Sequence, residues 1–500
     1  MSRTAAFVVL LSLSGCMVGP DYGRPPPATD LTPAYKEVDG VTFRPALPRD
    51  TVDRGPWWAI YGDPTLDRLM AEVDVSNQTL KENEAAYRQA VALIRQSQSS
   101  LYPTIGYSAS VTQNSSSGGR VSGTGLVSTT SGNSFGEYSL GGTLTWEADV
   151  WGRIRRTIES DAAAAQASAA LLASARLSAQ STLATSYFSL RISDERRALY
   201  QKSVAAYARS LEIVRNQMNA GTASRLDLAQ AQTLLEQTRA LYAAEGANRA
   251  QFEHAIAALV GKIPAEVSIE TAPAPRTVPT LDAGTPSALL ERRPDIASTE
   301  RQMQAANAQI GVAQAAFYPD FTFNASMSFL STTLGNLLQI SSAVWSLGPQ
   351  LSGTLIDGGA RAAQVEGARA NYDKTVATYR QTVLTAFQQV EDALAQQRYF
   401  AEQEEIQARA VEAAREAERL SLNQYQAGTV AYTTVVTAQT TALSAEQTLI
   451  NIRLNRFSTA AALVTALGGG WRDTELPAVM PATPASMLKP SPVKKGWWPF

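Results

Sequence analysis

Cysteine and histidine, two of the side chains that most often carry nucleophilic and metal chemistry, are nearly missing from this 500-residue chain, which has one cysteine, Cys16, and one histidine, His254. A lone cysteine cannot close an internal disulfide, and one histidine excludes histidine-rich metal sites and most catalytic triads. His254 follows Phe252 and Glu253 in a helical stretch and reads as an ordinary helix residue. No nucleophile–base pair, phosphate loop or metal cluster stands at usable spacing, so an enzyme is the weakest reading. Cys16 differs because of what precedes it. Arg3 and an apolar run from Ala5 to Leu13 form a secretory signal too short to span a membrane permanently.

The signal ends in Leu13-Ser14-Gly15-Cys16, which resembles a bacterial lipobox. Cleavage of residues 1–15 would leave Cys16 first, its thiolate the nucleophile that takes diacylglycerol, with an N-acyl chain on the new amino terminus. Two or three acyl chains anchor stably where one is marginal. Met17 stands where an aspartate would signal inner-membrane retention, so the expected address is the outer membrane, with the helical part in the periplasm.

The 45 acidic residues nearly balance the 43 basic ones. That balance argues against a nucleic-acid partner, which requires many phosphates to be neutralised. No stretch reaches the roughly 20 apolar residues of a transmembrane helix. Instead the chain repeats itself after about 210 residues, far beyond solenoid periods. Leu101-Tyr102-Pro103 returns as Phe317-Tyr318-Pro319, Asp149 to Arg153 as Asp357 to Arg361, and Ala220-Gly221-Thr222 as Ala427-Gly428-Thr429.

Each unit opens with a helical pattern, Thr65 to Ser100 and then Ser287 to Ala316. In the second, Arg292-Arg293-Pro294-Asp295 is a helix-start signal. After each Tyr-Pro the period becomes two. Ile105, Tyr107, Ala109 and Val111, then Tyr138, Leu140, Leu144 and Trp146, alternate with small polar residues. Phe321, Phe323, Ala325, Met327 and Phe329, then Trp345, Leu347, Leu351 and Leu355, do the same. Strands of about ten residues with one apolar face have the length of membrane β-strands. A Ser/Gly/Thr-rich stretch, 113–136, reads as a long extracellular loop, and Tyr102, Tyr107, Tyr138, Trp146 and Trp345 as girdle aromatics near strand ends. Pro349 fits only an edge or a bulge.

Four strands cannot close a barrel, and lipid does not tolerate open edges. Two copies would give eight strands and a filled interior, three would give twelve and a conduit. The residues demand an oligomer without choosing its number. Proline-free windows hold 154–218 and 360–426, rich in strong helix formers, each roughly 100 Å long at 1.5 Å per residue. They end at Gly221 and Gly428, and return helices follow over about 224–261 and 431–467, the first capped by Ser224.

This arrangement resembles the TolC-like outer-membrane efflux channels, in their lipoprotein (NodT-type, OprM-like) branch. The resemblance rests on Cys16-Met17-Val18-Gly19-Pro20-Asp21-Tyr22, Trp57-Trp58 with Asp63-Pro64, Glu291 to Ile296, Ala306 to Gly311 with Phe317-Tyr318-Pro319, and Leu355 to Gly359. It covers residues 16 to about 470. It implies a mixed, mainly α fold: a homotrimer with a twelve-stranded shared barrel in outer-membrane lipid, a helical periplasmic barrel and an equatorial layer. The turns at Gly221 and Gly428 would form the tip that a periplasmic membrane-fusion adaptor contacts. An inner-membrane transporter, of the resistance-nodulation-division class, would supply energy for small-molecule efflux. The family's tip carboxylate is replaced here, since the matching stretch is Val435-Val436-Thr437-Ala438-Gln439. Thr222, Ser224, Asp227, Thr429, Tyr432, Thr433 and Thr437 are therefore the expected gate and adaptor residues, with Asp227 the remaining acid. Two rival services stay open, an exit duct for type I protein secretion and a periplasmic structural coiled-coil lipoprotein.

The expected organisation is signal 1–15, lipid-anchored extended segment 16–64, first repeat 65–263 with hairpin 104–149, linker 264–286, second repeat 287–468 with hairpin 320–357, and a proline-rich disordered tail 469–500 ending in Trp497-Trp498-Pro499-Phe500.

Overall fold

The computed structural model describes residues 17–25, 56–115, 118–121, 127–130, 134–275, 278 and 292–469. The signal, Cys16, residues 26–55 of the extended segment, the second half of the linker apart from residue 278, and all but the first residue of the tail lie outside that set. Among the described residues seven α-helices and six strands follow in chain order: α1 (Pro64–Ser76), α2 (Gln78–Ser99), β1 (Thr104–Ser115), β2 (Gly118–Val121), β3 (Val127–Thr130), β4 (Ser134–Ala148), α3 (Arg153–Asn219), α4 (Arg225–Leu259), α5 (Pro294–Ala315), β5 (Asp320–Ser331), β6 (Ala343–Ser352), α6 (Ala360–Gln426) and α7 (Tyr432–Ala466). The duplication is exact in helix length: α3 and α6 each have 67 residues, α4 and α7 each have 35.

The helical stretch expected from Thr65 to Ser100 is two helices, because Asn77 breaks it. Asp63 caps the first by accepting from the amides of Thr65 (2.9 Å) and Leu66 (3.2 Å). The Asn77 side chain caps the second by accepting from Leu80 N–H (3.1 Å), and its amide donates to the Leu259 carbonyl (2.8 Å) at the end of α4. The break thus ties the first helix pair to the return helix. In the second unit α5 starts at Pro294, where the start signal puts it, and Ser287 lies outside the described residues.

The two long helices are also launched alike. Asp149 accepts from Ile154 and Arg155 N–H, both at 2.9 Å, and Asp357 accepts from Gly359 (3.0 Å) and Arg361 (3.2 Å). Each carboxylate fills amides that a helix N-terminus leaves open, which is why Asp recurs at this spacing.

Strands β1, β4, β5 and β6 form one antiparallel sheet in that order. Register places Ile105 beside Leu144, Ala325 and Leu347 in one cross-strand row, and Leu140 beside Phe329. The apolar alternation is thereby a single continuous face. Its residues are bare in the single chain: Ile105 is 78 %, Trp345 73 % and Leu347 62 % exposed. On the opposite face hydroxyls pair across strands, Ser110 with Ser139 (2.9 Å) and Ser326 with Ser346 (2.8 Å), and Asn324 donates to Gln350 (3.2 Å).

Three expectations change here. The stretch 113–136 is not all loop: β1 and β4 run on to Ser115 and Ser134, and β2 and β3 pair between them. Strand β6 stops at Ser352, so Leu355 lies beyond the sheet. Tyr107 sits inside β1 opposite Gly142, whereas Trp146 is near the helical end and Trp345 near the other. Pro349 falls in β6, an edge strand, where a missing N–H is tolerated.

Helices α2, α3, α5 and α6 lie side by side next to the sheet, and α4, α3, α7 and α6 continue the layer away from it. Where the short helices meet, an equatorial core gathers Trp57, Leu66, Met70, Val73, Tyr187, Phe188, Ile256, Val260, Ile269 and Phe457. Arg249 donates to Asp194 (2.7 Å) and to the Ile269 carbonyl, and Arg191 donates to the Glu270 carbonyl (2.6 Å), fixing the chain after α4 onto α3. Among the described residues, no helix is long and apolar enough to cross a membrane.

Candidate functional site: the helical tip and the strand–helix junction

At the end farthest from the sheet the two repeats make the same turn. Gly221 and Gly428 hold φ of +79° and +73°, the left-handed region that glycine enters without a Cβ penalty. Gly221 N–H donates to Met218 O (3.0 Å) and Thr222 N–H to Gln217 O (2.9 Å); Gly428 donates to Tyr425 O (2.9 Å) and Thr429 to Gln424 O (3.0 Å). The Thr222 and Thr429 hydroxyls add a second donor to those same carbonyls, at 3.0 and 2.9 Å. Each Gly-Thr pair therefore closes its helix twice over. No atom lies within 4 Å of a Cβ added at either glycine, so backbone strain alone opposes substitution. Gly221→Ala should loosen this turn by about 1–2 kcal/mol. Faster hydrogen exchange confined to the tip, with global melting unchanged, would be the readout.

The return helices start differently. Ser224 Oγ accepts from Asp227 N–H (3.1 Å) while Asp227 accepts from Ser224 N–H (3.0 Å), a reciprocal capping box. Asp227 is thus committed to holding the start of α4. Helix α7 begins after Ala431 with no side-chain cap.

Tyr432 is not on the open wall of the tip, contrary to its expected place beside Thr433. It is 1 % exposed and lies edge-on to Tyr425, ring centroids 5.0 Å apart, among Val214, Ala231 and Val435. Burial, then Tyr425 and Asp227, push its phenol up to about 12. A tyrosine in an unfolded chain ionises near pH 10, so the raised value contributes stability fully below about pH 10 that is lost as pH climbs through about 12. Tyr432→Phe should remove one late-ionising tyrosine from the absorbance titration, with buried tyrosines such as Tyr187 and Tyr207 still ionising later, and leave the alkaline loosening of the tip smaller.

Thr433 and Thr437 do lie on the open side. With Thr434, Ala438 and Thr441 on α7 and Ala414 and Ala417 on α6 they line a groove of about 430 Å³. The hydroxyls of Thr437 and Thr441 turn back onto the carbonyls of Thr433 (2.9 Å) and Thr437 (2.8 Å). That leaves methyl groups outward and no charge in the groove.

A polar ladder between α3 and α7 escaped the sequence reading. Gln439 donates to Ser210 (3.1 Å), Tyr207 donates to the Gln439 carbonyl (3.1 Å), Gln447 donates to Tyr200 (3.1 Å), and Arg453 pairs with Glu195 (2.9 Å). The seven-residue spacing of Tyr200 and Tyr207 was the available signal. The ladder holds the second helix pair against the first from the equator to the tip.

At the sheet end, the first described residues run back along α5. Val18 N–H donates to Trp151 O (3.0 Å), Arg156 donates to the carbonyls of Val18 (3.2 Å) and Gly19 (3.1 Å) and to Asp21 (2.8 Å), and Asn307 donates to Pro20 O (2.9 Å). Gly19 and Gly311 meet backbone to backbone, since a Cβ on Gly19 would fall 2.4 Å from Gly311 Cα. The residue after Cys16 is thereby fixed beside the strand–helix junction, while Cys16 itself lies outside the described residues.

A bare apolar sheet with two open edges, mounted on helices with paired turns at the far end, defines the class of β-barrel channel with a helical tunnel. The chain belongs to the outer membrane efflux protein family, whose model matches residues 69–262 and 285–469. It is 31 % identical over 479 residues to the solvent efflux pump outer membrane protein SrpC of Pseudomonas putida, covering 94 % of this chain and 98 % of that one. It is 28 % identical to the cation efflux system protein CusC of Escherichia coli O6:H1 over 93 % and 98 %. Among solved structures, the outer-membrane channel OprN superposes with a TM-score of 0.81 at 28 % identity, covering 91 % of this chain and 100 % of that one. The open state of the Neisseria gonorrhoeae MtrE outer membrane channel gives 0.76 at 26 % identity over 92 % and 99 %.

Proposed function

We propose that three copies of this chain share one twelve-stranded barrel in the outer membrane and form the exit duct of a tripartite efflux pump. The observation that carries this reading is the continuous apolar face of a four-stranded sheet whose edges, β1 and β6, have no partner strand among the described residues. Open edges cannot stand in lipid, and pairing β6 of one copy with β1 of the next closes them. The solvent and cation pump relatives support a duct for small toxic compounds. A periplasmic membrane-fusion adaptor would contact the Gly-Thr turns, and an inner-membrane transporter, of the resistance-nodulation-division class, would supply the energy. Opening is then a population shift, in which the adaptor binds better to a tip whose α3–α7 ladder has released.

Cys16 carries the lipid in this reading. Its neighbour Met17 sits against Gly152 at the junction, which supports a diacylglycerol and an N-acyl chain reaching the periplasmic leaflet from there. Labelled palmitate should appear on the wild-type protein and vanish in Cys16→Ala; retention of label would refute the assignment. For the duct itself, purified protein in a planar bilayer should give discrete conductance steps whose open fraction rises with adaptor. A protein that never conducts, with or without adaptor, would sink the reading.

A further inference from the structure

Among the described residues, the barrel's inner mouth contains one acid without a counter-ion. Strand parity puts Glu147 and Asp320 on the hydroxyl face, in line with Thr145 and Thr322 and away from the apolar row. In a shared barrel that face lines the water-filled interior. Glu147 is neutralised: Arg153 Nη2 donates to both of its oxygens at 2.6 Å. Asp149 is matched by Arg155 (3.1 Å), and Asp357 by Arg361 in the second repeat. Asp320, the first residue of β5, makes no ion pair and no hydrogen bond with its side chain among the described residues. Arg153, already engaged by Glu147, feels it only through space. Against Arg153 and Arg155, the three acids Glu147, Asp149 and Asp320 leave one negative charge per copy; the third guanidinium there, Arg156, is held by Asp21 and Glu159, and the balanced Asp357–Arg361 pair does not cancel the charge.

The remaining acid on this face, Glu137, stands near the outer end opposite Thr112 and has the same sign. Between the two ends the wall is Ser, Thr, Asn, Gln and Gly, joined by the apolar Leu330 and Val344 near the outer end. At the far tip the open groove is lined by threonine and alanine. Fixed charge on the described wall of the barrel is therefore concentrated at its ends, with Asp320 at the mouth where solutes leave the helical tunnel.

We propose that Asp320 sets the charge preference of this duct, favouring cationic and neutral solutes over anions as they enter the barrel. The inference deepens the duct reading and rests on it. Under threefold symmetry the carboxylates form a ring. A unit charge about 7 Å away across water changes the local concentration of a monovalent ion a few-fold, and salt confines that effect to about one Debye length. The ring biases passage without blocking it.

Cys16 is the chain's only cysteine, so an introduced thiol is a clean probe once the unsubstituted protein sets the background. Thr322→Cys places a thiol on the same face, two residues or about 7 Å from Asp320. Membrane-impermeant methanethiosulfonates, one carrying trimethylammonium and one carrying sulfonate, are added outside intact cells, where the barrel is reached without opening the tip. The cationic reagent should react at a rate ratio that drops three- to tenfold when Asp320→Asn is added, and Asp320→Lys should invert the preference. A ratio unmoved by either change overturns the assignment of Asp320 while leaving a water-lined barrel. Failure of both reagents to reach Thr322→Cys, with Leu351→Cys on the apolar face reacting instead, overturns the barrel reading itself.

Discussion

Leu347→Arg should abolish assembly of the oligomer in the outer membrane, whereas Ser346→Arg, one residue away, should assemble. Leu347 lies in the middle of the apolar row with Ala325 and Leu144 and is 62 % exposed in the single chain. A guanidinium on the lipid face near the bilayer midplane costs about 2–4 kcal/mol, and a trimer carries it three times. Ser346 points to the other face, where it pairs with Ser326 at 2.8 Å; an arginine there reaches water. Heat-resistant oligomer in outer-membrane fractions is the measure. Equal assembly of the two variants would contradict the assignment of faces, and loss of only the Ser346 variant would reverse it.

Phe188→Ala should cost about 3–5 kcal/mol, the range for emptying a closed aromatic site. Phe188 is fully buried, stacks on Phe457 with centroids 4.7 Å apart, and lies 4.7 Å from Tyr61. It joins the segment before α1 to α3 and α7, so the void falls where both repeats and the N-terminal segment meet. Helical circular dichroism during denaturant unfolding should show the loss. Val75→Ala, at a position 73 % exposed, should change stability by less than about 0.5 kcal/mol.

Much of this architecture could be read from residues because local and tertiary demands agree. The proline-free windows became 67-residue helices, the period-two stretches became the sheet, and Ser224 caps α4. The departures arise where a distant partner decides. Apolar spacing runs on from Leu66 to Leu80, and the break at Asn77 combines its local cap on Leu80 N–H with a distant acceptor for its amide, the Leu259 carbonyl. Ser/Gly/Thr content hid β2 and β3, which form a two-stranded sheet of their own by pairing with each other rather than by propensity. Tyr432 looked like wall material because it begins a helix next to the turn; Tyr425 on α6 draws it inward. The α3–α7 ladder joins residues more than 200 positions apart, a pairing no local pattern encodes. The candidate tip was legible as two glycine turns, and the division of Thr433 and Thr437 from Tyr432 was not.

The central claim is that the sheets of several copies form one lipid-embedded barrel, with any lipid on Cys16 an auxiliary anchor. Cys16→Ala behind a cleavable signal isolates it, and the measurement is membrane fractionation followed by native mass in mild detergent. Retention in the outer membrane with a mass of three chains is the expected result. Release into the periplasm as a soluble monomer or soluble coiled-coil oligomer would contradict it.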